Sequence, residues 1–306
     1  MYHGIINIYK EKGFTSHDVV AKLRGIFKQK KIGHTGTLDP DAVGVLPVCL
    51  GMGTKLCDLL TDKDKTYEAV MILGYVTDTQ DMSGKVLSEF SVNRQDISDE
   101  EILEAVKSFE GDYLQTPPMY SAIKVKGKKL YELAREGIEI EVKPRPVVIN
   151  GISDIKIDFP RISMTVDCSK GTYIRTLCHD IGKKLSVGGA MESLKRTKVG
   201  HFDIENALTL DEVSDIIQSE PEKIFDYIMP VTDAFIQYKD GYVKEEFEKY
   251  LYNGNPLKAN YIKNYKELNL SSMENIKIYD SKGNFVGLFA YDERDNVFKV
   301  VKMFLS

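Results

Sequence analysis

A chain of 306 residues with 42% hydrophobic side chains is long enough for one large domain, a small one and a substantial core. Its 41 basic and 46 acidic residues leave a formal net charge of -5, which excludes a uniformly basic nucleic-acid coat but not local basic patches. Cys49, Cys57, Cys168 and Cys178 form no Cys-x-x-Cys pair, so neither a zinc knuckle nor a disulfide framework is expected, and no segment reaches transmembrane length.

In chain order, Ile5 to Tyr9 reads as a strand entered without a basic segment followed by an apolar one, so a cytoplasmic protein is expected. Thr15 and Asp18 have capping-box spacing ahead of a helix whose apolar stripe is Val19, Val20, Leu23, Ile26 and Phe27. A glycine-bounded loop around Asp39 follows. Val45 to Leu50 and Tyr67 to Tyr75 read as strands, separated by a short helix through Leu56, Leu59 and Leu60. Ser98 and Glu101 start a second capped helix, with Ile102, Leu103, Val106 and Phe109 inward and Gly111 as its stop. Ile162, Met164, Val166 and Cys168 alternate with polar neighbours, the period of a strand with one buried face. Gly171 opens a helix with Ile174, Leu177, Cys178, Ile181 and Leu185 on one side, which turns Tyr173 and Arg175 away from that stripe.

After an acidic helix near Asp211 to Ser219, the composition changes at Pro230 to Phe235, which divides the chain into 1–234 and 235–306. The second part offers a helix from Lys244 to Tyr252 and strands at Ile276 to Tyr279, Phe285 to Tyr291 and Val297 to Phe304, joined by hairpin turns. The expected fold is α/β of the α+β type: a domain with a largely antiparallel mixed sheet, then a small β-rich appendage.

Chemistry concentrates in Gly33-His34-Thr35-Gly36-Thr37-Leu38-Asp39-Pro40 and its continuation to Pro47. Gly33, Gly36 and Gly44 permit close backbone approach and positive φ, while Pro40 pushes Asp39 out of helical geometry. Taken alone, a turn in which Asp39 bonds its own backbone accounts for Leu38-Asp39-Pro40. Four further blocks change that: Lys65-Thr66-Tyr67, Thr77-Asp78-Thr79-Gln80-Asp81, Pro118-Met119-Tyr120-Ser121-Ala122-Ile123-Lys124 running on to Gly127-Lys128-Lys129-Leu130-Tyr131, and Cys168-Ser169-Lys170-Gly171-Thr172-Tyr173-Ile174-Arg175-Thr176.

In this order the five blocks resemble the TruB family, the bacterial tRNA pseudouridine-55 synthases. The resemblance implies a pseudouridine synthase catalytic domain that isomerises a flipped-out uridine in the T-loop of tRNA without metal, organic cofactor or obligate protein partner. Asp39 matches the catalytic carboxylate, a group chemically fit to attack a sugar or base carbon or to stabilise an oxocarbenium-like centre. Attack at C1′, attack at C6 and elimination to a glycal-like intermediate stay open. Arg175 matches the arginine that keeps this carboxylate ionised once RNA excludes water. Tyr67 matches the aromatic residue that stacks on the target base and helps with the C5 proton. Tyr173 and Leu194 match walls of the uridine pocket, and His34 and Lys10 substrate contacts, Lys10 being the lysine ahead of the loop, where Glu11 follows it in place of the family's usual proline. Asp81 matches a polar position near the base, although an Asx-turn explains Thr77 to Asp81 as well. The appendage resembles a PUA domain, an RNA-binding module.

Basic residues cluster beside these blocks. Lys10, Lys12, Lys22, Arg24, Lys28, Lys30 and Lys31 precede the Asp39 loop, and Lys124, Lys126, Lys128, Lys129, Lys195, Arg196 and Lys198 lie near the later ones. The partner they suit is the T-arm stem-loop and elbow of tRNA, gripped through phosphates. Other readings are a non-catalytic RNA-binding protein, a carboxylate-based nucleoside or glycoside hydrolase, and the guide-RNA-dependent branch of the same superfamily. The joint presence of Asp39, Tyr67 and Arg175 speaks against the first, the lysine clusters against the second, and the lack of a long basic tail against the third.

Overall fold

The computed structural model describes residues 1–121, 123–125, 127–138 and 140–305; Ala122 and Lys126 of the lysine-bearing block lie outside the described residues. A ten-stranded mixed sheet runs in the order Ile228–Met229, Gly4–Lys10, Val43–Leu50, Gly189–Val199, Lys65–Leu73, Arg161–Cys168, Arg145–Asp158 and Gly111–Gln115, with Ile32–His34 and Phe202–Asp203 off that path. Among its described strands the neighbours are antiparallel except at one junction, where Val43 and Gly44 pair in parallel with Lys195 and Arg196.

That junction divides the core. On one side Ile6, Ile8, Leu46, Val48 and Leu50 pack against Val19, Leu23 and Val213 of the helices Ser16–Ile26 and Leu210–Ser219. On the other, Ala69, Met71, Ile162, Met164 and Val166 pack against Ile102, Val106, Leu177 and Ile181 of the helices Asp99–Lys107 and Ile174–Lys184. Leu38 and Ala42, which flank Asp39, are buried in this second cluster. Burying one leucine contributes about 1.5–3 kcal/mol, so the loop is anchored by apolar side chains on both sides of its carboxylate.

Both expected capping boxes form, Thr15 with Asp18 and Ser98 with Glu101. Leu103, expected inward, is 39% exposed. It lies about 100° round the helix from buried Ile102, too far to share its face. The strand expected to run to Tyr75 ends at Leu73; Gly74 takes φ +98° and the chain enters a separate hairpin, Tyr75–Thr77 with Val86–Glu89. Lys244 to Tyr252 begins as a 3-10 turn, Glu245–Phe247, before the helix Glu248–Tyr252.

The C-terminal part forms a five-stranded sheet in the order Lys239–Tyr242, Asn275–Tyr279, Phe285–Asp292, Val297–Met303 and Leu257–Lys258. It has its own core around Val243, Leu251, Ile276, Ile278, Phe289 and Phe298. A further cluster joins Ile5, Cys49, Leu56 and Leu60 to Phe235, Leu288 and Phe304, so the two sheets share apolar surface. Among the described residues no helix is long and apolar enough to cross a membrane.

Candidate active site

The backbone around Asp39 is held by side chains from distant parts of the chain. Ser16, in the first turn of its helix, accepts the Leu38 N–H at 2.9 Å through Oγ. Lys10 Nζ donates to the carbonyls of Pro40 at 3.1 Å, Glu11 at 3.1 Å and Phe14 at 2.7 Å. An ammonium has three protons, and all three are spent here. Lys10 is also 0% exposed, so it does not sit as the substrate contact expected from sequence; it braces the loop instead. Burial lowers its pKa to about 8. Gly44 marks the far side of the loop: it takes φ +106°, and a Cβ there would lie 2.2 Å from the Arg196 carbonyl oxygen.

Arg175 reaches Asp39 from the start of the helix Ile174–Lys184, its Nε 3.1 Å from Asp39 Oδ2. Its side chain is 7% exposed and that of Asp39 40%, so a buried arginine meets a carboxylate that is still open to solvent. The rest of the guanidinium is fixed: Nη1 donates to the Thr79 carbonyl at 3.1 Å and meets Asp81 Oδ2 at 3.4 Å, and Nη2 donates to the Tyr120 carbonyl at 3.0 Å. Among the described residues the Asp39 carboxylate accepts no side-chain hydrogen bond, and the Arg175 ion pair at Oδ2 is its nearest charged contact. Burial, the largest influence, pushes the Asp39 carboxyl above its ordinary value; Arg175 pulls it back, and the Asp81 carboxylate adds to the rise.

Of the two sequence readings of Asp81, the Asx-turn forms. Its Oδ1 accepts from Ser83 N–H at 3.0 Å and Thr79 Oγ1 at 2.8 Å, an Asx-type turn, while Oδ2 faces Arg175. The side chain therefore supports the arginine from behind.

Tyr67 and Leu194, on the neighbouring strands Lys65–Leu73 and Gly189–Val199, are each 8% exposed and share the core cluster that holds Leu38. Burial raises the Tyr67 phenol above its usual pKa. Tyr173 is the N-cap residue of the Arg175 helix; its N–H donates to Gln115 Oε1 at 2.8 Å and its carbonyl accepts from Gln115 Nε2 at 3.0 Å. Half-buried His34 accepts the Gly36 N–H at Nδ1, 3.3 Å, and meets His17 edge-on with ring centroids 5.1 Å apart. Burial lowers the His34 pKa, so the ring is neutral near pH 7 with its proton on Nε2.

The structure thus brings Asp39, Arg175 and Asp81 together and sets Tyr67, Leu194, Tyr173 and His34 on the elements around them. Sequence reasoning did not single out Ser16 and Gln115. Their partners lie 22 and 58 residues away, and neither stands in a local pattern that signals such a contact. Among the described residues no group of three or more His, Cys, Asp or Glu side chains is disposed to hold a metal ion.

Residues 24–174 match the model of the TruB family pseudouridylate synthase N-terminal domain, and residues 175–236 that of the tRNA pseudouridylate synthase B C-terminal domain. The tRNA pseudouridine synthase B of Lachnoclostridium phytofermentans is 52% identical over 99% of this chain and 100% of its own length. Those of Clostridium tetani and Clostridium novyi are 42% identical (98% of this chain, 99% of theirs) and 46% identical (94% and 94%). Among solved structures, a chain of a Cbf5-Nop10-Gar1 complex superposes with a TM-score of 0.70 at 27% identity, covering 99% of this chain and 85% of that one. A chain of an archaeal box H/ACA sRNP Nop10-Cbf5 complex gives 0.69 at 25% identity, with coverage of 99% and 86%. Likeness that runs the length of the relatives and spans the loop, the hairpin and the arginine helix alike fixes the family: the chain belongs to the TruB family of pseudouridylate synthases and is a pseudouridine synthase, an isomerase.

Proposed function

We propose that this enzyme converts uridine to pseudouridine at position 55 in the T-loop of tRNA, with Asp39 as the nucleophile on a flipped-out base. The observation that carries the reading is the Asp39 carboxylate itself, ion-paired at 3.1 Å with a buried arginine and still 40% exposed. Attack by the carboxylate at C1′ or C6, or elimination toward a glycal, breaks the N1–C1′ bond and frees the base; C5 then bonds to C1′ as any Asp39–carbon bond breaks and any proton taken from C2′ is returned, which regenerates the carboxylate. C5 loses a proton as N1 gains one, so no co-reactant is consumed. Arg175 holds the carboxylate ionised while RNA excludes water. Tyr67 stacks on the base, Tyr173 and Leu194 line its pocket, and His34 takes the space vacated by the flipped base or touches its phosphate. A base inside the folded T-loop must leave its stack to reach Asp39, and stacking in the pocket compensates that cost.

The substrate assignment is supported by the tRNA pseudouridine synthase B relatives, at 42–52% identity, against 25–27% for the ribonucleoprotein chains. It implies an enzyme that works on cytoplasmic tRNA without a guide RNA or an obligate protein partner. Residues 1–234 carry the chemistry and 235–306, as a PUA-like module, grip tRNA beyond the T-arm.

Two substrates test the reading: whole tRNA and an isolated T-arm stem-loop, each carrying tritium at C5 of uridine 55. Tritium release from both, with tighter binding of whole tRNA, is expected. No release, or pseudouridine at another uridine, overturns the site of action; equal affinity for the two RNAs overturns the role of the C-terminal module.

A further inference from the structure

One buried charge beside the site has no part in the chemistry above. Arg196 lies on Gly189–Val199, opposite Gly44 in the parallel register and opposite Tyr67 in the antiparallel one. It is 2% exposed and among the largest fully buried side chains. A buried charge costs several kcal/mol to desolvate, so it needs compensation. No carboxylate pairs with Arg196 among the described residues; Asp39 and Asp81 both pair with Arg175.

Its contacts fall on the two legs of the Asp39 loop. Nε donates to the Val45 carbonyl at 2.7 Å, after Asp39, and Nη1 to the Thr37 carbonyl at 3.5 Å, before it. Nη2 is sealed from solvent and unpartnered among the described residues. Directly opposed residues on neighbouring strands carry their side chains on the same face, so the guanidinium stem and the Tyr67 ring start side by side. The chain also approaches Arg196 closely enough at position 44 that only glycine fits.

We propose that Arg196 is a positioning residue: one guanidinium staples the neck of the Asp39 loop to the strand junction beside Tyr67, and so holds the nucleophile and the stacking ring at a fixed separation. The proposal rests on the roles assigned to Asp39 and Tyr67. A planar fork suits the task because it reaches two carbonyls at once, which an ammonium on a flexible stem does not. The same positive charge opposes the effect of burial on the Tyr67 phenol.

The test is Arg196→Lys and Arg196→Gln in the full chain, with kcat and KM on T-arm stem-loop and a cooperative melt for each. Displacement of a reacting group by about 1 Å costs on the order of 100-fold, so folded variants should lose about that much in kcat with KM within about threefold. A lower melting temperature with kcat within about threefold of wild type overturns the proposal. Asp39→Asn, measured alongside, separates the two readings: its turnover would sink the nucleophile assignment whatever Arg196 does, while an inactive Asp39→Asn beside a fully active Arg196→Lys sinks the staple alone. Should neither arginine variant fold, hydrogen exchange in the wild-type chain decides. A stapled loop opens with its strand, so the Leu38 and Ala42 amides should exchange with those of Gly189–Val199, and exchange more than about 1,000-fold faster overturns the staple.

Discussion

Arg175 and Arg161 both face carboxylates, under opposite conditions. Arg161 meets Glu192 as a near-ideal fork, Nε and Nη2 each at 2.8 Å from a carboxylate oxygen, with side chains 49% and 33% exposed. Arg175 offers Asp39 a single nitrogen at 3.1 Å and spends the rest of its fork on Asp81, Thr79 and Tyr120. By contact geometry Arg161 is the better pair. Water and salt screen it, however, and such surface pairs contribute little. Arg175 sits where an unpaired charge is costly and where the pairing opposes the effect of burial on the proposed nucleophile. Environment, not contact quality, ranks the two. Glu192 also has both oxygens hydrogen-bonded by one partner, whereas among the described residues the Asp39 carboxylate has the ion pair but no side-chain hydrogen bond.

The largest effect should come from Asp39→Asn, which keeps the shape and removes the proposed nucleophile. Turnover should fall by at least about 1,000-fold, the scale on which loss of a catalytic nucleophile is felt, while the melt and RNA affinity stay near wild type. Turnover in a preparation free of wild-type enzyme would break the comparison at its root. Arg175→Lys comes next. The lysine keeps a charge but cannot serve Asp39, Asp81, Thr79 and Tyr120 together, and kcat should drop by about 100-fold, as for a misplaced catalytic group.

The acid limb of the single-turnover profile sharpens the same point. On the proposed mechanism turnover needs ionised Asp39 and fails as pH falls through its pKa. Since burial raises that pKa above 3.8, the limb should lie above the ordinary aspartate value. Arg175 opposes the rise, so Arg175→Gln should move the limb to still higher pH; a limb that stayed put or moved down would show that the arginine does not set this ionisation. Lys10→Met should act on stability first. It strips the donor from three carbonyls around the loop, costing about 2–4 kcal/mol in urea unfolding on the scale of buried groups left unsatisfied.

Much of the site was legible in the sequence because its motifs are local. The loop around Asp39 is bounded by its own glycines and prolines, and Arg175 lies in one word with Tyr173. What holds them is not local. Ser16, Gln115 and Arg196 act through register between strands and helices far apart in the chain, and Lys10 reads as a free cation until its three carbonyls are seen. The strand Gly189–Val199, which carries Leu194 and Arg196, escaped notice for a physical reason. Irregularities in its pairing between Met191 and Ser193 and between Arg196 and Lys198 break the alternation that marks a strand. In the C-terminal part, turn residues and apolar runs revealed the three long strands, while the parallel edge strand Lys239–Tyr242 has too little apolar alternation to stand out.

The smallest effect expected is that of Arg161→Gln, and its smallness is the informative result. The fork to Glu192 joins the strands Arg161–Cys168 and Gly189–Val199, so a purely geometric account would have its loss propagate along the strand to Leu194. Screening argues otherwise: the range of an exposed charge falls from about 10 Å at 0.1 M salt to about 3 Å at 1 M. Arg161→Gln should leave kcat and KM unchanged, and any loss in melting temperature should vanish as salt is raised. The displaced acid limb of Arg175→Gln, measured in single turnover at saturating RNA so that weakened binding does not intrude, should survive the same change, because protein rather than water surrounds that arginine. A salt-insensitive loss of kcat in Arg161→Gln would mean that the exposed fork is coupled to the site through its strand, and that burial alone does not separate the two arginines.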